Sequence, residues 1–315
     1  MAVTVLIVHA LAFAVAASAD DRQDHGQALG QADSAPVSDA PERPPAFREW
    51  FAHVAAVAGG DPVVVPGTAR QGLAAMLVRH LGPTLILLAA SLGVAVPLGA
   101  LFGVLGVDLR SGRVHGAMTA VAAVGFAMPA FYFGILGIRG SRAMATFAGS
   151  DAWLLPASGY GLDRHLVLPA LALAIRPAAE LAQLTAELLA SELGREYLRL
   201  ARAKGGARWR VLRHAMANIA PIHVAAVAAS LRYLISSAIV VELLFNWPGI
   251  GLALARSVAP RIDGRPPSLA LFHPPTVAAL MATWTLLYFG AALFAEVAAW
   301  RLDPRQRDGW RVGDR

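Results

Sequence analysis

The sequence contains no cysteine and only one lysine, and charged residues make up 15% of its 315 positions. The absence of cysteine excludes disulfide bonds, thiol catalysis and zinc–thiolate sites. A soluble domain carries about 25% charged residues, whereas 57% of the residues in this chain are hydrophobic and many stand in long apolar runs. These proportions predict a membrane protein that crosses the bilayer several times.

Motifs of nucleotide-binding and hydrolytic enzymes are also missing. There is no G-x-x-x-x-G-K-[ST] phosphate loop, and Lys204 precedes Gly205 instead of following a glycine-rich loop. H-E-x-x-H, G-x-S-x-G and an Asp/His cluster within an apolar run are absent too. The net charge of +6 comes from bases beside apolar runs, without a nucleic-acid recognition motif. We therefore expect no enzymatic activity, no bound cofactor or metal, and no nucleic-acid partner.

Apolar runs predict an all-α protein with six membrane helices. The first run, residues 2–19, ends in the A-x-A pattern Ala17-Ser18-Ala19, so a cleaved signal peptide is the alternative to a retained helix. No basic residue precedes this run, and its 18 residues are just enough to cross the bilayer, which favours the retained helix. The other five predicted spans are Leu81–Val107, Gly116–Ile138, Leu166–Ala190, Ile219–Phe245 and Pro275–Trp300.

The distribution of basic residues predicts the orientation of these spans. With the N-terminus inside, the segments 108–115, 194–214 and 301–315 hold 14 basic residues in 44 positions. The segments on the other side hold 11 in 107 positions. The positive-inside rule therefore predicts that both termini are cytoplasmic. Residues 20–80 then form an extracytoplasmic loop, residues 81–300 the core membrane domain and residues 301–315 a cytoplasmic tail.

The segment from Glu196 to Pro221 is strongly basic, although apolar runs flank it on both sides. Helix-forming residues precede and follow Gly205-Gly206, which predicts a short helix, a break and a second helix. Such a charged segment lies on the aqueous surface, and we interpret it as a docking element for a cytoplasmic partner. The bases of its second half could instead serve only to fix the topology, a reading that leaves the small residues Ala201, Ala203 and Gly205 unexplained.

Six charged residues stand inside the predicted spans (Arg176, Glu180, Glu187, Arg232, Glu242 and Glu296), and three of them, Arg176, Glu180 and Arg232, are candidate functional residues. Arg176 and Glu180 are four residues apart on one helix face and could neutralise each other. A central arginine costs at least ~2.5 kcal/mol on insertion scales, so Arg232 should face a partner or a water-filled path. We expect the three residues to line a translocation path or an interface with a second membrane subunit; a purely structural ion pair is the equal alternative.

The run VELLFNWPGIG at 241–251 contains the residues Trp247, Pro248 and Gly249. Proline followed by glycine breaks a helix, so the fifth span should end here, close to the outer surface. This turn is a candidate external gate, and a rigid corner is the alternative.

Several pieces of the sequence, in order, resemble the permease subunits of binding-protein-dependent ABC importers. LGREYLRLARAKG followed by RVLRHAMANIAP resembles the EAA loop of this family, most closely in its dipeptide/oligopeptide/nickel branch. GGDP, WLLPASGY, LVLPALALA, VELLFNWPGIG and LDPR agree as well, so that the resemblance covers roughly residues 45–307. It implies a MetI-like fold of six membrane helices with an extracytoplasmic loop after the first.

The resemblance also implies partners. A second permease, in a heterodimer, would complete the translocation path in the lipid membrane, and an extracytoplasmic solute-binding protein would deliver the cargo. Two ATP-binding subunits would hydrolyse ATP, which this chain does not bind. The coupling loop, residues 194–218, would dock on an ATP-binding subunit, and Pro221 would begin the next membrane helix. The residues expected to carry this coupling are Glu196, Tyr197, Arg199, Ala201, Arg202, Ala203, Lys204, Gly205 and Pro221.

The cargo implied by this branch is a peptide, with nickel, glutathione and sugars as alternatives. Two other functions remain open from the sequence: a secondary transporter driven by an ion gradient, and a membrane scaffold without transport activity. A secondary transporter typically shows inverted repeats, which this sequence lacks.

Overall fold

A computed structural model describes residues 62–63, 71–149, 155–203, 207–258 and 274–302. These residues are helical except for the connecting turns and a two-stranded antiparallel ribbon, in which β1 (Pro62–Val63) pairs with β2 (Gln71–Gly72). The predicted first span (residues 2–19) and tail residues 303–315 lie outside the described residues. The helices are α1 (Leu73–Leu105), α2 (Gly116–Ala127), α3 (Ala130–Phe147), α4 (Arg164–Leu193), α5 (Glu196–Ala203), α6 (Arg208–Phe245), α7 (Ile250–Val258) and α8 (Pro274–Leu302).

Four of these helices, α1, α4, α6 and α8, are long and apolar enough to cross a membrane. The pair formed by α2 and α3 brings the number to five if the pair counts as one bent span. Each of these spans coincides with one of the predicted apolar runs. The chain is therefore a multi-pass membrane protein.

The first described helix begins earlier than the sequence predicted. α1 starts at Leu73, whereas the apolar run was expected to begin at Leu81. Residues 73–80 had been assigned to the 20–80 loop, whereas Met76 in the first turn of α1 is already buried. The predicted loop is correspondingly shorter at this end.

The predicted span Gly116–Ile138 is not one continuous helix, because α2 and α3 meet at an angle of 100°. The cause is Pro129, whose ring disfavours helical backbone at the preceding residue. Met128 is accordingly extended (φ −103°, ψ 132°) and ends α2 at Ala127. α3 then continues to Phe147, so Arg139 and Arg142 lie in a helix instead of the predicted loop.

The prediction that Pro221 begins a membrane helix is also wrong. α6 runs without interruption from Arg208 to Phe245, and Pro221 lies in its interior. The second half of the predicted coupling loop (194–218) is thus the first three turns of the membrane helix itself. A proline inside a helix leaves one carbonyl without its donor, which membrane helices tolerate where neighbours compensate.

The described chain divides into two compact units. The first contains the start of α1, with α7 and most of α8, and has a core of Met76, Ile250, Ala253 and Leu280. Two hydrogen bonds fix the residues that lead into α7: His80 Nδ1 donates to Pro248 O (3.1 Å), and the Ile250 amide donates to Thr84 Oγ1 (2.9 Å).

The second unit is organised around α4, which packs against α2, α3 and α6. Glycines allow the close approach of its neighbours. A Cβ atom at Gly99 of α1 would stand 2.5 Å from Leu181 Cβ, and one at Gly125 of α2 would stand 2.5 Å from Ala179 Cβ. At the start of α4, Asp163 caps the helix by accepting a hydrogen bond from the His165 amide (3.1 Å). The small residues of this unit thus set the spacing of its helices.

Candidate functional site

The short helix α5 is amphipathic and lies where α4 ends and α6 begins. On one face Leu198 is fully buried. On the other, Glu196, Arg199 and Leu200 are exposed to solvent. Leu198 belongs to a core cluster with Val107, Met118, Ala122, Ala182, Ala186, Leu189, Leu193, Val211, Ala215 and Ile219. One leucine therefore anchors the helix, and its charged face remains available.

Polar contacts fix α5 from both sides. The Tyr197 hydroxyl donates to Glu192 Oε1 (2.5 Å), while Asn218 Nδ2 donates to the Tyr197 hydroxyl (2.6 Å) and to Glu192 Oε1 (3.2 Å). Desolvation and the Glu192 carboxylate raise the pKa of Tyr197, so its hydroxyl stays protonated as a donor. Arg202 Nη2 also donates to the carbonyl of Leu193 (3.0 Å). These bonds join the end of α4, all of α5 and the first turns of α6.

The expected break between two helices is present, since α5 ends at Ala203 and α6 begins at Arg208. Lys204 and Gly205 lie outside the described residues, as does the side chain of Ala201. Ala203 is exposed, and the first turn of α6 presents Arg208, Trp209 and Arg210 to solvent. Trp209 is 70% exposed, which is unusual for a side chain of this size. The structure thus joins the exposed part of α5 and the start of α6 into one basic surface.

Sequence reasoning identified α5 but missed two residues that hold it. Glu192 and Asn218 complete the hydrogen-bonded triangle with Tyr197; Glu192 lies in α4, and Asn218 lies in α6 within the run RVLRHAMANIAP but was not among the residues expected to carry the coupling. The signal that was present is weak: a polar Asn218 among the apolar positions of a helix. Their contact depends on the folding back of three helices and not on local spacing.

Arg176 and Glu180 form the ion pair that their spacing predicted, with Arg176 Nε 3.1 Å from Glu180 Oε1. The guanidinium of Arg176 also lies over the ring of Tyr233 in α6, 4.8 Å from its centre. An aromatic face attracts a cation at this distance. Tyr233, which sequence reasoning missed, thus connects α4 and α6 next to Arg232. Arg232 is partly buried.

The turn after α6 is held firmly. Asn246 adopts a left-handed conformation (φ 52°) that ends the helix, and the Trp247 amide donates to the carbonyl of Glu242 (2.8 Å). Trp247 is fully buried and its ring contacts Tyr160 edge to face at 4.8 Å. The adjoining Gly159 amide donates to the Phe245 carbonyl (3.0 Å). Gly249 is buried and Pro248 partly buried. The break in the helix was predicted; a gating role for this turn stays a prediction.

No group of three or more His, Cys, Asp or Glu side chains in the described part of the chain could hold a metal ion. Comparison with protein families supplies the decisive observation. The model of the family described as "binding-protein-dependent transport system inner membrane component" matches residues 95–308, about two thirds of the chain. The chain belongs to this family. The resemblance drawn from the EAA-like loop is thereby confirmed, and the matched residues include all of α2 to α8.

Individual relatives of this inner membrane component are named as permeases. A protein named as a peptide permease in Brucella suis biovar 1 is 32% identical over 196 residues, which are 61% of each chain. The glutathione transport system permease protein GsiC of Escherichia coli K12 is 30% identical over 218 residues, 69% of each chain. The match thus spans less than two thirds of the length of the Brucella relative and slightly more than two thirds of the length of GsiC. Both names agree with the peptide branch that the motifs indicated.

Proposed function

We propose that this chain is the permease subunit of an ABC importer. Together with a second permease it forms a translocation path for peptides or a related small solute, which a solute-binding protein delivers. Two separate subunits hydrolyse ATP, and this chain binds none. The observation that carries the proposal is α5: a basic helix, anchored by one buried leucine at the end of the membrane helices, in a chain of this family.

The charge distribution supports an orientation with both termini in the cytoplasm. The connections at one end of the spans, which include α5, are about three times richer in basic residues than those at the other. In this orientation α5 and the start of α6 face the cytoplasm, where ATP-binding subunits reside. The turn that contains Trp247, Pro248 and Gly249 then faces the solute-binding protein.

Docking on an ATP-binding subunit uses the exposed face of α5. Glu196, Arg199 and Leu200 offer charges and one apolar side chain, and Arg208 and Trp209 extend the surface. An exposed tryptophan flanked by arginines is typical of the residues that dominate protein interfaces. Ala203 and Gly205 have little or no side chain, which would let a partner groove approach the backbone closely, and Lys204 would add a positive charge to the contact. Ala201 and Arg202 belong to the same proposed contact.

The translocation path is proposed to pass the charges of α4 and α6. Arg176 and Glu180 satisfy each other, whereas no ion pair to Arg232 is found within the described part of the chain. Arg232 is therefore the side chain best suited to meet the carboxylate of a passing peptide or an acidic residue of the second permease. Arg232→Gln should lower uptake while assembly is kept; unchanged uptake would remove Arg232 from the path.

The experiment that tests the proposal is ATP-driven uptake in proteoliposomes containing the complete importer. The variant Arg199→Glu reverses an exposed charge of α5, and Arg139→Glu reverses another exposed charge, in α3, as the matched control. We expect Arg199→Glu to abolish the stimulation of ATP hydrolysis by loaded binding protein, and Arg139→Glu to preserve it. Uptake driven by an ion gradient without any ATP-binding subunit would contradict the proposal.

A further inference from the structure

A basic cavity of about 590 Å³ lies beside α5, between the α1–α2 connection and the first turns of α6. Four of its lining residues carry or can carry positive charge: Arg110, His115, Arg202 and Arg208. The cavity has the size of an ordinary small-molecule site. It lies where α1 and α4 end and α6 begins, at one end of these apolar helices.

The one carboxylate that lines the cavity, Asp108, already accepts hydrogen bonds. Asp108 accepts hydrogen bonds from the Ser111 hydroxyl (2.6 Å) and from the Arg110 amide (2.9 Å) within its own loop. These donors lower the pKa of Asp108, so it stays ionised, and its one negative charge stands against the three arginines of the cavity. Arg202 uses one of its five N–H donors for the hydrogen bond to the Leu193 carbonyl. No ion pair involving Arg110, Arg202 or Arg208 is present in the part of the chain that the structure describes.

An apolar groove of about 670 Å³ begins at the same histidine, since His115 lines both spaces. The groove runs along α1, α2 and α4, and its rim includes the exposed side chains of Phe102, Leu105, Val121 and Val124. Apart from His115, every side chain of the groove is apolar. His115 thus stands at the border between a basic cavity and an apolar groove along the long helices.

We propose that the cavity and the groove together bind one anionic phospholipid. The phosphodiester lies among Arg110, Arg202 and Arg208, and an acyl chain follows the groove beyond His115. The uncapped start of α2 at His115 adds the positive end of a helix dipole. A soluble phosphate compound would leave the groove empty, and a helix of a second permease would leave the arginines without partners. A phospholipid occupies the groove and also supplies an anionic partner for the arginines.

Native mass spectrometry of the full-length chain tests this site, with phosphatidylglycerol and phosphatidylcholine of equal acyl chains as probes. We expect preferential retention of phosphatidylglycerol. Each arginine near a membrane surface contributes about fivefold to the binding of an anionic lipid. Arg110→Gln with Arg208→Gln should therefore weaken retention by about 25-fold. The matched control, Arg199→Gln with Arg213→Gln, removes two exposed arginines outside the cavity and should leave it unchanged.

A second measurement tests the groove and does not depend on charge. A phosphatidylglycerol with a photoactivatable acyl chain should label the peptide containing Val121 and Val124, and Ala117→Phe should reduce that labelling at least tenfold by filling the groove. Equal retention of both lipids would overturn the proposal, as would unchanged binding in the double glutamine variant. Equal affinity for glycerol phosphate would also overturn it, and so would loss of the lipid when a second permease assembles.

Discussion

Replacing Leu198 with alanine should release α5 from the membrane helices. A helix of eight residues is too short to be stable on its own, so its order depends on its contacts. Among the α5 side chains that the structure describes, only Leu198 is fully buried, and a buried leucine replaced by alanine costs about 2–5 kcal/mol. Even ~2 kcal/mol raises the opening constant of the helix about thirtyfold.

The matched control lies two residues away on the same helix. Leu200 is 56% exposed, and substitutions at such positions change stability by no more than about 0.5 kcal/mol. Hydrogen–deuterium exchange of the amides in residues 196–203, in the purified complex, separates the two variants. Leu198→Ala should exchange at least about thirtyfold faster than the wild type, and Leu200→Ala at the same rate.

Leu198→Ala and Leu200→Ala also distinguish the anchoring of α5 to the membrane helices from its docking on an ATP-binding subunit. Leu200→Ala should weaken the coupling of ATP hydrolysis to uptake without any change in exchange, because Leu200 belongs to the proposed contact surface. Equal exchange in the wild type and Leu198→Ala would refute the reasoning, since the helix would then be held by something other than this leucine. Fast exchange in both variants would also refute it.

Three further predictions concern the membrane helices. Gly99→Ala should destabilise the protein by about 1–3 kcal/mol, because the added methyl group would overpack against Leu181. Gly93→Ala, where a Cβ would meet nothing within 4 Å, should stabilise the protein by up to ~1 kcal/mol through its higher helix propensity. Unfolding in denaturing detergent measures both variants, and equal effects would contradict the packing. Glu180→Gln should lower the melting temperature by leaving Arg176 unpaired, and adding Arg176→Gln should restore part of it; a lack of recovery would exclude the ion pair as the cause. Hydrogen bonds from His165 lower the pKa of Asp163, so the stability they confer is present above the ordinary aspartate pKa of about 3.9 and is lost as the pH falls through the lower folded value. Melting temperatures below about pH 4 should therefore fall more steeply in the wild type than in Asp163→Asn, which keeps the helix cap; parallel curves would disprove this.

The sequence was sufficient for the features that depend on local pattern. Long apolar runs located the described spans, and the spacing of Arg176 and Glu180 predicted their ion pair. The glycines after Ala203 predicted the break between α5 and α6. Each of these depends on residues within one or two helical turns of one another.

Features that depend on competition between local signals were predicted less well. Pro129 and Pro221 are both prolines within apolar runs, yet the first bends the chain by 100° and the second lies inside a continuous helix. The proline motif alone does not distinguish them, because the outcome depends on whether neighbouring helices supply the missing contacts. The Tyr197–Glu192–Asn218 triangle and the contact of Arg176 with Tyr233 were missed for a related reason. Both join helices that are distant in the sequence.

The continuity of α6 has a mechanical consequence. Its 38 residues, at about 1.5 Å each, make a rod of about 57 Å, nearly twice the thickness of the hydrocarbon layer. A sideways force on Arg208 at one tip therefore reaches Phe245 at the other without a loop in between to absorb it. The weakest point of the rod is the turn at Ala217, whose carbonyl receives no donor from Pro221, so bending under load concentrates there.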